Sequence, residues 1–263
     1  MMFASDLDRT LIYSKRAMED YPTDEIIDLV PVEQKLNQEV SFMSKNSLNH
    51  LQNLSTKLLF VPVTTRSLDQ YERVFFKETA IKYAVTTNGA NIHYNGKPLA
   101  EWDIKVTKEM EALSVKLGEL IPFIKQHAHI KGELRIVEDL FIYYYLTEMV
   151  TPEIIEELMV ILEEKGWRVS LQGKKLYFMP IAISKGKAIK FIQEREGVTT
   201  LIGAGDSLFD DDFLQYCQHP FVLGHGELAT YPLKEHYNVI KQIGIKGGEE
   251  LLKSITQLVE KQG

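Results

Sequence analysis

Short apolar runs rich in Val, Ile and Phe recur along the chain, and amphipathic segments lie between many of them. Such runs predict buried strands, and apolar residues three or four positions apart predict helices. The predicted strands are Met1–Ala4, Leu58–Val63, Tyr83–Val85, Leu201–Ala204 and Phe221–Leu223, and the predicted helices are Ser47–Leu54, Lys187–Arg195 and Glu249–Gln262. Strands that alternate with helices indicate an α/β fold with a Rossmann-like, doubly wound parallel sheet.

The middle of the chain follows a different pattern. It predicts a helix, an extended segment, a second helix and a hairpin, at Thr107–Gln126, at Leu134–Thr147, from Thr151-Pro152 to Gly166, and at Trp167–Leu171 with Lys175–Met179. This order is typical of a small α+β domain. We therefore expect an inserted α+β cap domain at residues 90–182, within a core formed by residues 1–89 and 183–263.

Residues 14–45 carry a weaker alternation of apolar and polar positions. The two apolar stretches of this part are Ile26–Val32 and Val40–Met43. They predict a hairpin, which we expect to extend as a flap beside the first strand.

Composition narrows the class of protein. The chain has 44% hydrophobic and 25% charged residues, which is ordinary for a globular protein. The 37 acidic and 30 basic residues give a net charge of −7, so we expect no nucleic-acid partner. The single cysteine, Cys217, excludes an internal disulfide and a cysteine-based zinc site.

Nothing in the sequence predicts a membrane segment or a secretion signal. The apolar runs are far shorter than the roughly 20 residues that span a bilayer. The start, MMFASDLDRT, is acidic where a secretion signal has its apolar stretch. We therefore expect a cytoplasmic protein with no membrane partner.

Small clusters of polar side chains follow three of the predicted strands, at the point where each strand ends. In an open parallel sheet, ligands bind beyond the carboxyl ends of the strands. If the three strands are neighbours, these side chains converge at one edge. They are Asp6 and Asp8 after the first strand, Thr64 and Thr65 after Leu58–Val63, and Asp206 and Asp210 after Leu201–Gly205.

The converging carboxylates indicate metal-assisted phosphoryl transfer. Carboxylates packed together repel one another and need a cation, and an all-oxygen ligand set suits Mg²⁺. A carboxylate such as Asp6 can act as nucleophile and form an aspartyl-phosphate. A second carboxylate two residues on, Asp8, can serve as general acid and then base. Lys185, at the start of a predicted helix, is the candidate counter-charge for the transferred group.

The same residues resemble the motifs of the haloacid-dehalogenase-like phosphohydrolase superfamily. Asp6-Leu7-Asp8-Arg9-Thr10 matches its DxDxT motif, Thr64 its strand-end Thr or Ser, Lys185 in SKGKAI its lysine, and Gly205–Asp210 its GDSxxD motif. The motifs occur in the family's order and span almost the whole chain. The large insertion before Lys185 and the stretch TNGA at residues 87–90 resemble the subgroup with a large α+β cap, which includes Cof-type and sucrose-phosphate phosphatases.

The resemblance implies a role for each of these residues. Asp6, Asp8 and Lys185 would be catalytic, and Lys185 would also bind the phosphoryl group together with Thr64 and Thr65. Mg²⁺ would be held by Asp6, by the backbone carbonyl of Asp8, and by Asp206 with support from Asp210. The sequence departs from the family at Arg9 and Thr65, where many relatives have Gly, and at Phe209, where many have Asn.

The resemblance also implies a substrate class. We expect a small phosphorylated metabolite, with a sugar phosphate as the first candidate, and a monomer or weak homodimer. The candidate substrate-binding residues are Asn88 and, in the cap, Arg135, Tyr144 and Lys174. Two alternatives to the phosphatase stay open: a phosphomutase or other phosphotransferase on the same fold, and a non-enzymatic binding protein.

Overall fold

The computed structural model describes residues 1–262, which divide into two compact units. The first unit comprises Met1–Pro98 and the chain from Lys185 onward, and the second comprises Leu99–Ser184. The second unit therefore begins nine residues later than the predicted cap at residue 90. The reason is that residues 83–98 pair among themselves in a three-stranded sheet, which keeps them together in the first unit.

Strands and helices are numbered here in chain order. The strands are β1 (Met2–Ser5), β2 (Tyr13–Ser14), β3 (Leu29–Lys35), β4 (Gln38–Ser44), β5 (Leu59–Pro62), β6 (Tyr83–Thr86), β7 (Asn91–Tyr94), β8 (Lys97–Pro98), β9 (Gly132–Val137), β10 (Phe141–Leu146), β11 (Trp167–Gln172), β12 (Lys175–Pro180), β13 (Leu201–Gly205), β14 (His219–Leu223) and β15 (Asn238–Ile240). The helices are α1 (Lys15–Asp20), α2 (Lys45–Lys57), α3 (Leu68–Tyr71), α4 (Ala100–Leu113), α5 (Leu117–His127), α6 (Pro152–Glu163), α7 (Lys185–Glu196), α8 (Leu208–Leu214) and α9 (Gly244–Gln262).

A parallel five-stranded sheet forms the centre of the first unit, and it confirms the predicted Rossmann-like core. Its strand order is β15-β14-β13-β1-β5. β1 lies between β13 and β5, with Met2 opposite both Leu201 and Leu59. All four residues of β1 are buried, as expected for a strand with neighbours on both edges and helices on its faces. This register brings the carboxyl ends of three strands to one edge.

The helix α2 illustrates how the pattern of the sequence becomes packing. Leu48, Leu51 and Leu54 lie on one face at the predicted spacing, and all three are buried in the main apolar core. Ser44 begins the helix because its hydroxyl accepts a hydrogen bond from the backbone N–H of Ser47 at 3.1 Å. Ile255 of α9 belongs to the same core.

The predicted hairpin before α2 is present. β3 and β4 pair antiparallel, and β2 adds to the other edge of β4. The turn between them uses Leu36 and Asn37, both with positive φ (49° and 62°), which is the backbone of a tight hairpin turn. β3 begins at Leu29 rather than at Ile26.

The predicted strand at Tyr83–Val85 is buried, but it does not belong to the parallel sheet. β6 pairs antiparallel with β7, and β7 with β8, in the separate three-stranded sheet. A single bridge between Val63 and Val85 links β6 to the segment that follows β5.

The second unit contains an antiparallel four-stranded sheet of order β11-β12-β10-β9 with the helices α4, α5 and α6. The extended segment predicted at 134–147 forms two strands, because Glu138 and Asp139 turn the chain with φ of 49° and 55°. The single helix predicted at 107–126 is two helices. The segment between them leaves the helical path because the Ser114 hydroxyl donates to the carbonyl of Gly166 at 2.8 Å.

Within residues 1–262, none of the helices has both the length and the apolar content needed to traverse a bilayer.

Candidate active site

Asp6 is placed at the edge of the sheet by the strand that precedes it. Its backbone N–H donates to the carbonyl of Ala204 at 2.9 Å, which continues the pairing of β1 with β13 by one residue. The carboxylate is almost fully buried, with 6% of the residue exposed. The predicted convergence is therefore observed for the first and third strand ends.

Lys185 lies between two carboxylates. Its Nζ donates to Oδ1 of Asp6 at 2.9 Å and to Oδ1 of Asp210 at 2.7 Å. The lysine is the first residue of α7 and is completely buried. A buried ammonium is stable only with charged partners, so these two ion pairs fix the position of the lysine beside Asp6.

Asp210 organises the third strand end. Its Oδ2 accepts hydrogen bonds from the backbone N–H groups of Asp206 and Ser207, at 3.0 and 2.9 Å, and from the Ser207 hydroxyl at 2.9 Å. The bond from the Ser207 N–H is one half of a capping box at the start of α8, and the other half runs from the Asp210 N–H to the Ser207 hydroxyl. Gly205 is required here, because a Cβ on it would lie 2.4 Å from the Cβ of Asp210.

Asp6, Asp206 and Asp210 together fit a divalent cation. Each offers one carboxylate oxygen, these oxygens lie within 4.8 Å of one another, and all three residues are buried. Hard, charged oxygen donors of this kind suit Mg²⁺. The carboxylate of Asp8 is not part of the cluster, so its predicted metal contact concerns the backbone carbonyl alone.

The electrostatics of the cluster favour a cation. Burial raises the pKa of Asp6 from 3.8 to about 7, although Lys185 lowers it, and Asp210 and Asp8 raise it further. Burial, with repulsion from Asp6 and Asp210, raises the pKa of Asp206 well above its ordinary value. Burial opposes the charge of Lys185, but Asp210 and Asp6 outweigh it and raise its pKa. A bound cation would take the place of the protons that the carboxylates otherwise attract.

Thr64 lies beyond the end of β5 and is buried. Its hydroxyl accepts a hydrogen bond from the backbone N–H of Arg66 at 3.1 Å, which stabilises a tight turn. Asn88 also stabilises the turn, because its backbone N–H donates to the carbonyl of Thr64 at 3.0 Å. Thr65 lies at the tip of this turn and is half-buried.

Asp8 contacts an arginine that the sequence reasoning missed. Nε and Nη2 of Arg66 each donate to one carboxylate oxygen of Asp8, both at 2.7 Å. Glu33, on β3, also contacts this arginine. Arg66 follows Thr64-Thr65 at the same strand end, so its position was a usable signal. Glu33 carries no signal in the sequence.

His225 is a second residue that the sequence reasoning missed, and it supports the loop after Asp6. Its Nε2 lies 2.8 Å from the carbonyl of Arg9, and its Nδ1 lies 3.2 Å from the backbone N–H of Gly244. These partners assign the neutral tautomer with the proton on Nε2, and burial lowers the pKa of the ring. Arg9 has a φ of 63°, a left-handed conformation that favours Gly.

Comparison with known proteins identifies the family of this chain. A family model described as sucrose-6F-phosphate phosphohydrolase matches residues 1–238. The chain belongs to this sucrose-phosphatase family. It is therefore a phosphatase of the haloacid-dehalogenase-like superfamily, as its motifs predicted. No curated protein sequence matches it significantly.

Solved structures similar to this sucrose-phosphatase family member share its fold at low identity. The sucrose-phosphatase of Synechocystis sp. PCC6803, solved in complex with sucrose and phosphate, is 14% identical with a TM-score of 0.70, covering 98% of this chain and 97% of that one. The haloacid dehalogenase-like hydrolase yhjK of Bacillus subtilis is 18% identical, with a TM-score of 0.55 and coverages of 97% and 91%. BT1666 of Bacteroides thetaiotaomicron is 12% identical, with a TM-score of 0.58 and coverages of 97% and 94%.

The predicted substrate residues of this family member occupy different surroundings. Asn88 is fully buried in the first unit, with a φ of 57°. In the second unit, Arg135 is exposed and paired with Glu133 at 2.8 Å, and Lys174 lies in the turn between β11 and β12. Tyr144 is buried, and its ring contacts Phe178 edge to face. Tyr143 and Tyr145, on the opposite face of β10, are the more exposed rings.

Proposed function

We propose that this protein is a Mg²⁺-dependent phosphatase that hydrolyses a sugar phosphate through an aspartyl-phosphate on Asp6. The observation that carries the proposal is Lys185, buried between Asp6 and Asp210, with the Asp206 carboxylate in the same cluster. A nucleophile, a fixed positive charge and a cation-binding set of oxygens are the parts that phosphoryl transfer needs.

The first step is the attack of Asp6 on phosphorus. Because Lys185 engages Oδ1, we assign the attack to Oδ2. The bond from phosphorus to the sugar oxygen breaks, and Asp8 gives that oxygen a proton. Lys185 offsets negative charge on the transferring group, Thr64 donates its hydroxyl to a phosphoryl oxygen, and Thr65 contacts the same group at the tip of the turn.

The second step returns Asp6 to its starting state. A water oxygen forms a bond to phosphorus, the bond between phosphorus and Asp6 breaks, and Asp8 takes the proton from water. Asp6, Asp206 and the backbone carbonyl of Asp8 would hold Mg²⁺, with support from Asp210. The ion would supply positive charge to the phosphoryl oxygens.

The substrate class rests on the family. A sucrose-phosphatase family model supports a phosphorylated sugar, and sucrose 6-phosphate is the first compound to assay. Contacts from Asn88, Arg135, Tyr144 and Lys174 to the sugar stay predictions. The cytoplasmic location and the monomeric or weakly dimeric state also stay predictions.

A hydrolysis screen tests the proposal. Purified protein is assayed with Mg²⁺ against sugar phosphates, nucleotides and cofactor phosphates, and released inorganic phosphate is measured. We expect sugar phosphates to be hydrolysed best, Asp6→Asn to be inactive, and the exposed Asp24→Asn to match wild type. EDTA should abolish turnover and Mg²⁺ should restore it.

Two results would contradict the proposal. Activity that survives in Asp6→Asn would exclude the aspartyl-phosphate. A substrate that is isomerised with little release of inorganic phosphate would identify the phosphomutase alternative instead.

A further inference from the structure

The guanidinium of Arg66 lies between two carboxylates. On one side, Nε and Nη2 donate to the two oxygens of Asp8, both at 2.7 Å. On the other side, Nη1 and Nη2 lie 3.0 Å from the two oxygens of Glu33. These paired contacts on both sides restrict the planar guanidinium to a single orientation. Hydrogen bonds to both carboxylates outweigh burial and raise the pKa of Arg66, so it stays charged.

Glu33 is itself held by a surrounding network. Only 3% of the residue is exposed. The hydroxyl of Ser41, on the neighbouring strand β4, donates to its Oε2 at 2.6 Å, and Nη2 of Arg73 lies 3.5 Å from its Oε1. A buried carboxylate is stable only when such partners satisfy it, and these partners leave its oxygens little freedom to move.

The backbone of β3 is irregular at this residue. The register between β3 and β4 shifts on both sides of Glu33, which marks a β-bulge. Neighbouring residues of a regular strand face opposite sides, yet Val32 and Glu33 are both buried: Val32 belongs to the apolar core, while Glu33 meets Arg66. Bulges next to active sites turn a side chain toward a new direction in this way.

Backbone contacts with a further segment of the chain fix the bulge. The N–H of Phe75 donates to the carbonyl of Val32 at 2.8 Å, and the N–H of Gln34 donates to the carbonyl of Arg73 at 3.1 Å. Glu33 itself forms a bridge with Val74. The hairpin of β3 and β4 is therefore attached to the segment that follows α3, on the two residues that flank Glu33.

Asp8, in contrast, has little packing of its own. Its side chain is 52% exposed, so neighbouring atoms do not restrict its rotamers in the way that they restrict Asp6. Both of its oxygens are bonded to Arg66. The orientation of the carboxylate therefore depends on where the guanidinium is held.

We propose that Glu33 and Arg66 are positioning residues that hold the Asp8 carboxylate in the orientation required for acid–base catalysis. This inference rests on the proposed function, in which Asp8 takes the proton of the attacking water. The hairpin of β3 and β4, rather than the parallel sheet, thus supplies the fixed end of the network. Misplacement of a general base by a fraction of an ångström slows proton transfer without removing the nucleophile.

The test uses p-nitrophenyl phosphate, whose leaving group departs without a proton. Transfer of the phosphoryl group to Asp6 then needs no help from Asp8, whereas hydrolysis of the aspartyl-phosphate does. In Glu33→Gln, the amide N–H group meets a donor on Arg66, Arg73 or Ser41, and the network loosens. We expect kcat to fall about tenfold or more, KM to fall with it, and kcat/KM for this substrate to stay unchanged.

Stopped-flow measurements supply a second signature. Phosphorylated enzyme accumulates in Glu33→Gln, so nitrophenolate is released in an initial burst larger than that of wild type and approaching one equivalent per enzyme. With a sugar phosphate, whose leaving oxygen needs a proton, kcat/KM falls as well. A change that disturbs the fold as a whole would instead lower kcat/KM for both substrates.

Matched variants control for the charge change and for folding. Glu39→Gln makes the same substitution at an exposed position of the same hairpin and should leave the burst and kcat at wild-type values. If Glu33→Gln folds poorly, Ser41→Ala and Arg66→Lys test the same network, and each should give the burst with a lower kcat.

The proposal is overturned if the folded variants keep wild-type kcat and burst amplitude, or if kcat/KM for p-nitrophenyl phosphate falls as much as kcat. Either result leaves the proposed function intact, provided that Asp6→Asn is inactive. Activity in Asp6→Asn would instead overturn the proposed function.

Discussion

Removal of divalent cations should make the stability of this protein fall as the pH rises. The acidic cluster is buried, and folding raises the pKa of Asp6 from 3.8 to about 7. A group whose pKa is raised by folding contributes stability that is present below its unfolded pKa and lost as pH rises through its folded pKa. The cation-free protein should therefore lose stability between about pH 4 and about pH 7.

The size of the effect follows from the shift of the pKa of Asp6. A shift of about three units, at about 1.4 kcal/mol per unit, corresponds to about 4 kcal/mol. Asp206 shifts in the same direction and adds to the loss, whereas Lys185 keeps its proton throughout because its pKa is raised. For a chain of this length, about 4 kcal/mol lowers Tm by roughly 10 °C.

Thermal unfolding measured from pH 5 to 8.5 tests this expectation, in EDTA and in excess Mg²⁺. We expect Tm in EDTA to fall with pH. Mg²⁺ should raise Tm most at high pH. At 100 times its Kd, it should add about 2.7 kcal/mol to the free energy of unfolding. Asp6→Asn removes one buried charge, so in EDTA it should show a shallower slope and, at pH 8, a higher Tm than wild type.

A Tm in EDTA that is flat or rises over this range would refute the reasoning. The reasoning would also be refuted if Tm of Asp6→Asn in EDTA fell with pH as steeply as that of wild type, because the loss of stability would then arise from another group. Asp24→Asn, an exposed change of the same kind, should follow wild type.

Three further predictions concern single side chains. In urea unfolding, Gly166→Ala should cost more than 3 kcal/mol of unfolding free energy, because the new Cβ would overlap the backbone carbonyl of Leu113. The control Gly173→Ala has a positive φ but open space around the new Cβ, and it should cost about 1 kcal/mol. Lys185→Met should abolish turnover and cost about 3–5 kcal/mol at pH 8, because two buried carboxylates lose their partner; an active, equally stable variant would contradict the ion-pair account. His225→Ala should cost about 2–4 kcal/mol, since two backbone groups lose their hydrogen bonds, and should lower kcat; unchanged urea unfolding would exclude this support of the loop.

Local patterns were sufficient for most elements and for the central part of the site. The motif residues lie at strand and helix ends, which chain periodicity alone reveals, and a parallel sheet brings such ends together. Asp6, Lys185, Asp206 and Asp210 were therefore predictable as one cluster. The hairpin before α2 was predictable for the same reason, because alternation and a tight turn are local properties.

Several features depend on contacts between distant residues and could not be derived this way. The helix at 107–126 is broken because Ser114 bonds to Gly166, 52 residues away. β6 meets the segment after β5 at one bridge and pairs along its length with β7 instead. Tyr144 and Tyr143 alternate equally in the sequence, and only packing decided which ring is buried.

The sequence by itself determined the α/β fold, its inserted α+β segment and the acidic cluster around Lys185. The tertiary structure alone decided which side chains hold Asp8. Glu33 and Arg66 are 33 residues apart, and Arg66 and Asp8 are 58 apart. Periodicity reports which face of an element is buried, but not which element lies against it. Contacts between residues so far apart in the chain form only when the elements that carry them pack together, and the local pattern of each element does not specify its partner.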